Sequence, residues 1–203
     1  MQRLLLILFS VLLVCSGCGE KKKEPSALRA ERAIEALSGK EPDTRDGGTI
    51  ERNNVDIDVL LDGENIGARF KDGFGSIAAA RDEIVITVNA TGERPDNLLI
   101  GFSATDLTTL RPIHGKTNAG DGKVFTLSLM KIIGNGMETM MSFDAEGTIV
   151  SMSNEKTIIK VAGHLGYPAD AEDPEKWKKY QGTITLHYPV FQTVGIAKED
   201  FIY

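Results

Sequence analysis

The chain has 203 residues, of which 41 % are hydrophobic and 26 % charged, and a formal net charge of −6. That composition is ordinary for a globular protein, and its acidic balance excludes nucleic acid as a partner, because neutralising phosphates takes clustered Lys and Arg. Both cysteines, Cys15 and Cys18, fall near the start, so residues 19–203 hold no disulfide, thiolate nucleophile or cysteine metal ligand.

Arg3 supplies a positive start, residues 4–14 an apolar run, and Ser16-Gly17-Cys18 a small-residue processing site. Positive, apolar and small-residue regions in that order predict a secretory signal peptide over 1–17. The run is too short for a membrane span, which needs about 20 apolar residues.

An aliphatic residue, two small residues and then Cys is the processing pattern of bacterial lipoproteins, and residues 1–18 resemble it. Ser16 and Gly17 fit, while Cys15 stands where the first position usually holds Leu; Cys15 itself, after bulky Val14, is the poorer lipid site. The resemblance implies cleavage before Cys18, which would carry a diacylglycerol and an N-acyl lipid as a covalent anchor. One acyl chain binds a membrane marginally, whereas two or three hold it stably. Gly19 in place of Asp resembles the outer-membrane pattern of enteric bacteria. The expected location is therefore the cell envelope, on the outer membrane facing the periplasm or the cell surface rather than on the inner membrane. Lys21, Lys22 and Lys23 could attract anionic head groups, but Glu20 and Glu24 flank them and a solvated tether is the expected use.

Residues 18–48 read as a tether with a short helix. Ala27, Leu28, Ala30, Ala33, Ile34 and Leu37 recur near helical spacing over 25–39, with Ser26 as N-cap and Gly39 as stop. Residues 40–48 form a polar linker. From about 49 the period changes to two: Ile57, Val59 and Leu61, then Ile84, Ile86 and Val88, then Leu98, Ile100 and Phe102, then Phe125, Leu127 and Leu129. Further strands are expected over 137–143, 148–152, 157–162, 183–188 and 190–196. The fold class predicted for 49–203 is mainly β, an antiparallel β-sandwich of nine or ten short strands. Asp173 and Pro174 predict a short helical turn. The closing Phe201-Ile202-Tyr203 resembles the end of an outer-membrane barrel. Lipid-facing strands need about 9–11 residues and most runs here are shorter, so the terminal aromatics are expected to cover a core edge.

No catalytic residue is predicted. His114, His164 and His187 form no metal-ligand spacing. Gly101-Phe102-Ser103-Ala104 lacks the closing Gly of a nucleophile elbow, and Gly73-Phe74-Gly75-Ser76 lacks the Lys of a phosphate loop and reads as a mobile turn. Alternation places Asp56, Asp58 and Asp62 on one strand face, a weak candidate for calcium, which takes six to eight oxygens. Asp170, Glu172, Asp173 and Glu175 form a second acidic patch, expected to be a solvated loop. Met130, Met137, Met140, Met141 and Met152 could supply thioethers to copper, but core packing is the expected use. Tyr167, Trp177, Tyr180 and Tyr188 gather near one stretch and are the candidate partner-binding residues. The leading expectation is a membrane-anchored, non-enzymatic lipoprotein binding a protein or glycan partner. The alternatives are an envelope hydrolase acting on polysaccharide or ester, and a calcium- or copper-binding module.

Overall fold

Strict alternation decides the first strand. In β1 (Asn54–Leu61) the buried side chains are Val55, Ile57, Val59 and Leu61, and the exposed ones Asn54, Asp56, Asp58 and Leu60. The computed structural model describes residues 53–203 apart from Arg94 and Asn135; the signal peptide, Cys18 and the helix expected over 25–39 lie outside the described residues. After β1 come β2 (Glu64–Asn65), β3 (Phe74–Ala80), β4 (Glu83–Asn89), β5 (Asn97–Ser103), β6 (Ile113–Lys116), β7 (Val124–Ile133), β8 (Gly136–Met152), β9 (Lys156–Gly166), β10 (Lys178–His187) and β11 (Val190–Val194). Asp62 and Gly63, both at positive φ, make the two-residue turn between β1 and β2, whose twist suits a hairpin.

The protein is mainly β, and all eleven strands belong to one mixed sheet in the order β11-β3-β4-β5-β7-β6-β8-β9-β10-β1-β2, with β7 also paired to β8. Two neighbour pairs are parallel, β11 with β3 and β6 with β7. The seventeen-residue β8 pairs first with β7, then with β6 and β9, and shifts register between Ser142 and Ala145 and again between Ile149 and Ser151. Extra residues of this kind bend a strand and increase its twist. β10 continues through Tyr188 and buried Pro189 into β11, which lies along β3. Asn53 ties β1 to the same strand: its Nδ2 donates to the Gly75 carbonyl at 2.9 Å and its Oδ1 accepts from the Gly75 N–H at 3.0 Å. The sheet thus curls until its two sides meet at β3. Gly75 permits that approach, since a Cβ there would sit 2.7 Å from the Leu186 side chain. At Gly182 a Cβ would meet the Asp58 carbonyl at 2.0 Å, so β1 and β10 depend on a bare backbone there.

One core cluster draws on every long strand, including Ile84, Ile86, Ile100, Phe125, Ile149, Ile159, Ile184 and Leu186. Each fully buried large side chain contributes about 1.5–3 kcal/mol. The terminal aromatics close the core, as the sequence suggested: Phe201 is fully buried, and Tyr203 pairs with Met152 through two backbone hydrogen bonds of 2.8 and 3.1 Å. The Tyr203 hydroxyl donates to the Ile149 carbonyl and accepts from the Ile113 N–H.

The strands expected to stack as two antiparallel sheets are thus hydrogen-bonded into one mixed sheet, because the long bent β8 and the β10–β11 continuation carry the ladder round both corners. Segments 137–143 and 148–152 are one strand rather than two. The expected mobile turn at Gly73–Ser76 is instead the entry to β3; Gly75 is there for packing and the Ala78-Ala79-Ala80 run has low strand propensity, which hid it. Strands β7 to β10 run ten to seventeen residues, longer than the sequence suggested. The outward Asp58, Lys160 and Glu146 nevertheless interrupt any continuous lipid-facing belt.

Candidate interaction surface

The outward positions of the curled sheet divide sharply by charge. On β1, β10, β9 and the second half of β8 they carry Asp56, Asp58, Lys156, Lys160, Lys179, His187 and Glu146, interleaved with Thr183, Thr185 and Thr148. Cross-strand register sets opposite charges and hydroxyls side by side: Asp58 faces Thr183, which faces Lys160, which faces Thr148. His187 Nε2 lies 2.9 Å from Asp56 Oδ2, and Lys116 pairs with Glu146 at 3.2 Å. Leu60 and Val150 are the exposed aliphatic side chains of this half.

The outward positions of β11, β3, β4, β5, β7 and the first half of β8 are different. Among the described residues Glu83 is the one charged side chain there. The rest are uncharged: Ala78, Val85, Gly101 and Thr126 lie in one cross-strand row, Thr87, Leu99, Ser128 and Met141 in the next, and the amides of Asn89 and Asn97 in a third. Exposed along its borders are Phe74, Ile132, Met141, Val190, Met137 at 62 % and Val194 at 72 % exposure. Ile132 and Met137 face each other near the tip of the β7–β8 hairpin, and Ile133 is exposed beside them. The exposed apolar side chains form two groups, one on β11 and β3 and one on β7 and β8, with the buried and half-buried outward positions of β4 and β5 between them. The signal was present in the sequence as uncharged alternate positions; it escaped notice because only the sheet order makes those strands neighbours.

The aromatic residues singled out in the sequence do not form one surface. Tyr180 faces the core at 1 % exposure with no partner for its hydroxyl, and burial pushes that phenol well above its ordinary pKa. Tyr180 is therefore a core residue, turned inward by the same alternation that buries Ile184 and Leu186. Trp177 and Tyr188 flank the opposite ends of β10, roughly 36 Å apart along an extended strand. Trp177 is half-buried on the outer side, its ring 4.9 Å from that of Phe143 and its Nε1 donating to the Asp170 carbonyl at 2.9 Å. Gly166 leaves room for that stack, since a Cβ there would come within 2.7 Å of Phe143. Tyr167 is exposed and donates to Glu138 Oε2 at 3.1 Å; that carboxylate holds the phenol proton on and raises its pKa.

The acidic candidates separate too. Asp56 and Asp58 share the outer face of β1, bordering an open groove of about 790 Å³ with Lys71, Asp72, Thr183 and Thr185. Asp58 accepts from Asn65 at 3.1 Å. Asp62 sits in the turn and lines a different cleft of about 250 Å³ with Arg69, Lys131, Glu138, Tyr167 and Lys178. Among the described residues no group of three or more His, Asp or Glu side chains is disposed to hold a metal ion. The second acidic patch is organised by Lys176, whose Nζ reaches Asp170 at 3.2 Å and Asp173 at 3.1 Å. The histidines lie on three strands, His114 at 3.0 Å from the Thr148 hydroxyl and His164 beside the Trp177 ring. Of the methionines, Met140 and Met152 are in the core, while Met137 and Met141 face water rather than packing inside. Compared with protein-family models, curated proteins and solved structures, the chain matches none.

Proposed function

We propose that the protein is a membrane-anchored envelope lipoprotein whose β domain, curled so that its two halves face one another across the core as in a sandwich, binds a protein partner without catalysing a reaction. The observation that carries the reading is the outer face spanning β11, β3, β4, β5, β7 and the start of β8, on which Glu83 is the one charged side chain among the described residues, in a chain of which 26 % is charged. Inward positions must be apolar for the sheet to fold; outward positions carry no such requirement, and half the sheet spends them on charge. Apolar side chains with depleted charge are what the centre of a protein interface looks like. A glycan partner is the weaker choice, because beside the exposed Phe74 the exposed apolar side chains of this face are aliphatic and methionine rather than aromatic platforms. The anchor is Cys18 by the resemblance of residues 1–18 to bacterial lipoproteins, which places the domain in the envelope, on the outer membrane in preference to the inner.

A photo-crosslinking amino acid at Ser128, on the uncharged face, is compared in intact envelopes with one at Thr183 on the charged half. A discrete protein adduct from position 128 and none from 183 is expected; equal adducts from both, or none from 128, would overturn the reading. Labelled palmitate tests the anchor separately: the label should appear on the native chain and vanish in Cys18→Ser.

The envelope-hydrolase reading retains one specific support. Asp56 and Asp58 lie two residues apart on one strand face, about 7 Å, within the range of carboxyl pairs that cleave glycosides, and both border the larger groove. Polysaccharide or ester hydrolysis abolished by Asp58→Asn would favour it over binding.

A further inference from the structure

The two terminal strands of the sheet are finished in opposite ways. Proteins blunt open edges with short strands, charges or prolines, because unpaired backbone invites another strand. β2 is two residues long and exposes Glu64, so that edge is blunted. β11 is five residues, Val190-Phe191-Gln192-Thr193-Val194, with neither charge nor proline inside it, and among the described residues its one strand neighbour is β3. Val190, Gln192 and Val194 are exposed on the outer side, while Phe191 packs toward the core.

The Lys198 ammonium lies 5.0 Å over the Phe191 ring. We propose that the edge of β11 away from β3 pairs with β11 of a second copy of this chain, antiparallel and centred on Gln192. A two-fold interface sets each residue against its symmetry mate, so the strand must complement its own reverse. It does: Val190 falls opposite Val194, Phe191 opposite Thr193, and Gln192 opposite itself, where two amides can exchange hydrogen bonds. A charge at the central position would face its own copy, and like charges directly opposite are destabilising; the strand carries none. The pairing joins two uncharged faces into one continuous surface across the axis. It is independent of what else that surface binds and of the anchor, although membrane tethering would raise the local concentration that favours it.

Gln192→Cys in the full chain, oxidised in intact envelopes, tests the register. Facing residues of antiparallel strands have Cα atoms about 4.5–5.5 Å apart, within disulfide reach. A band of twice the chain mass is expected from position 192, at least tenfold above Thr126→Cys on the same face, Thr183→Cys on the other, and the parent chain. Equal bands at all positions would mean random collision and overturn the proposal. So would an adduct of position 192 with a different protein, which would mean that the edge accepts a foreign strand. Sedimentation of the detergent-solubilised protein covers a failed crosslink: the native chain should pass from one to two chain masses with concentration, and Gln192→Lys, exposed and expected to melt normally, should weaken dimerisation at least tenfold. A native chain that stays single at all concentrations overturns the proposal. Loss of the Ser128 adduct with the dimer intact would instead remove the partner reading alone.

Discussion

Strands β9 and β10 turn Lys156, Lys160, Thr183, Thr185 and His187 outward, whereas β4 and β5 turn Val85, Thr87, Leu99 and Gly101 outward. Their inward residues are interchangeable in kind: Ile159, Ile184 and Leu186 on one side, Ile84, Ile86 and Ile100 on the other, all at 0 % exposure. Both halves thus bury aliphatic side chains of the same kind on the inner side, and they differ on the outer one. β4 is buried on both sides: Ile84 through Val88 are all buried, Val85 and Thr87 at 9 % exposure on the outer side.

The comparison can be tested from both ends. The largest effect should come from the residue that closes the shared core: Phe201→Ala should cost about 3–5 kcal/mol, read as a lower urea midpoint. Asn53→Ala removes both hydrogen bonds by which β1 reaches β3 and should cost about 1–3 kcal/mol, with faster amide exchange at Gly75. Lysine placed on each half separates them: Val85→Lys should cost about 1–3 kcal/mol, since its ammonium loses water there, while Thr185→Lys on the charged half should stay within about 0.5 kcal/mol. Tyr180 lies under the charged half with its phenol pKa raised from 10.0 by burial. Above that value the unfolded chain releases the proton while the folded one keeps it, so stability present below pH 10 should fall as pH rises, by at most about 1.4 kcal/mol per pH unit. Tyr180→Phe should reduce that alkaline slope in pH-dependent melts, leaving the part due to the raised phenols of Tyr167 and Tyr203, and leave the slope near neutrality unchanged. Smallest of all, Asp56→Asn and Asp58→Asn should each shift stability by less than about 0.5 kcal/mol, and millimolar calcium should leave the melting temperature of the native chain unchanged.

Much of the strand content was legible because alternation of apolar and polar residues marks one side of each strand. That is how β1, β4, β5, β7, β9 and β10 could be placed, while Asp173 and Pro174 marked the short turn that follows them. β6 was missed because four residues with two polar members carry too little pattern, and β3 because its Gly and Ala positions are shaped by neighbours distant in sequence. The aromatic cluster of residues 164–189 was close in sequence only. An extended strand separates its ends by about 3.3 Å per residue, so Trp177 and Tyr188 drift apart while alternation drops Tyr180 into the core.

By itself the sequence determined which side chains share a strand face, and so which ones could be buried: Val55 with Ile57 and Val59, Ile184 with Leu186. It also carried the lipoprotein-like pattern at Cys18. Only the tertiary structure decided that eleven strands join one sheet, that β10 runs on into β11 to meet β3, and that the uncharged outward positions of six strands become one surface. A period of two is a local property of the chain, whereas the neighbour across a ladder is set by hydrogen bonds between segments as far apart as Asn54 and His187.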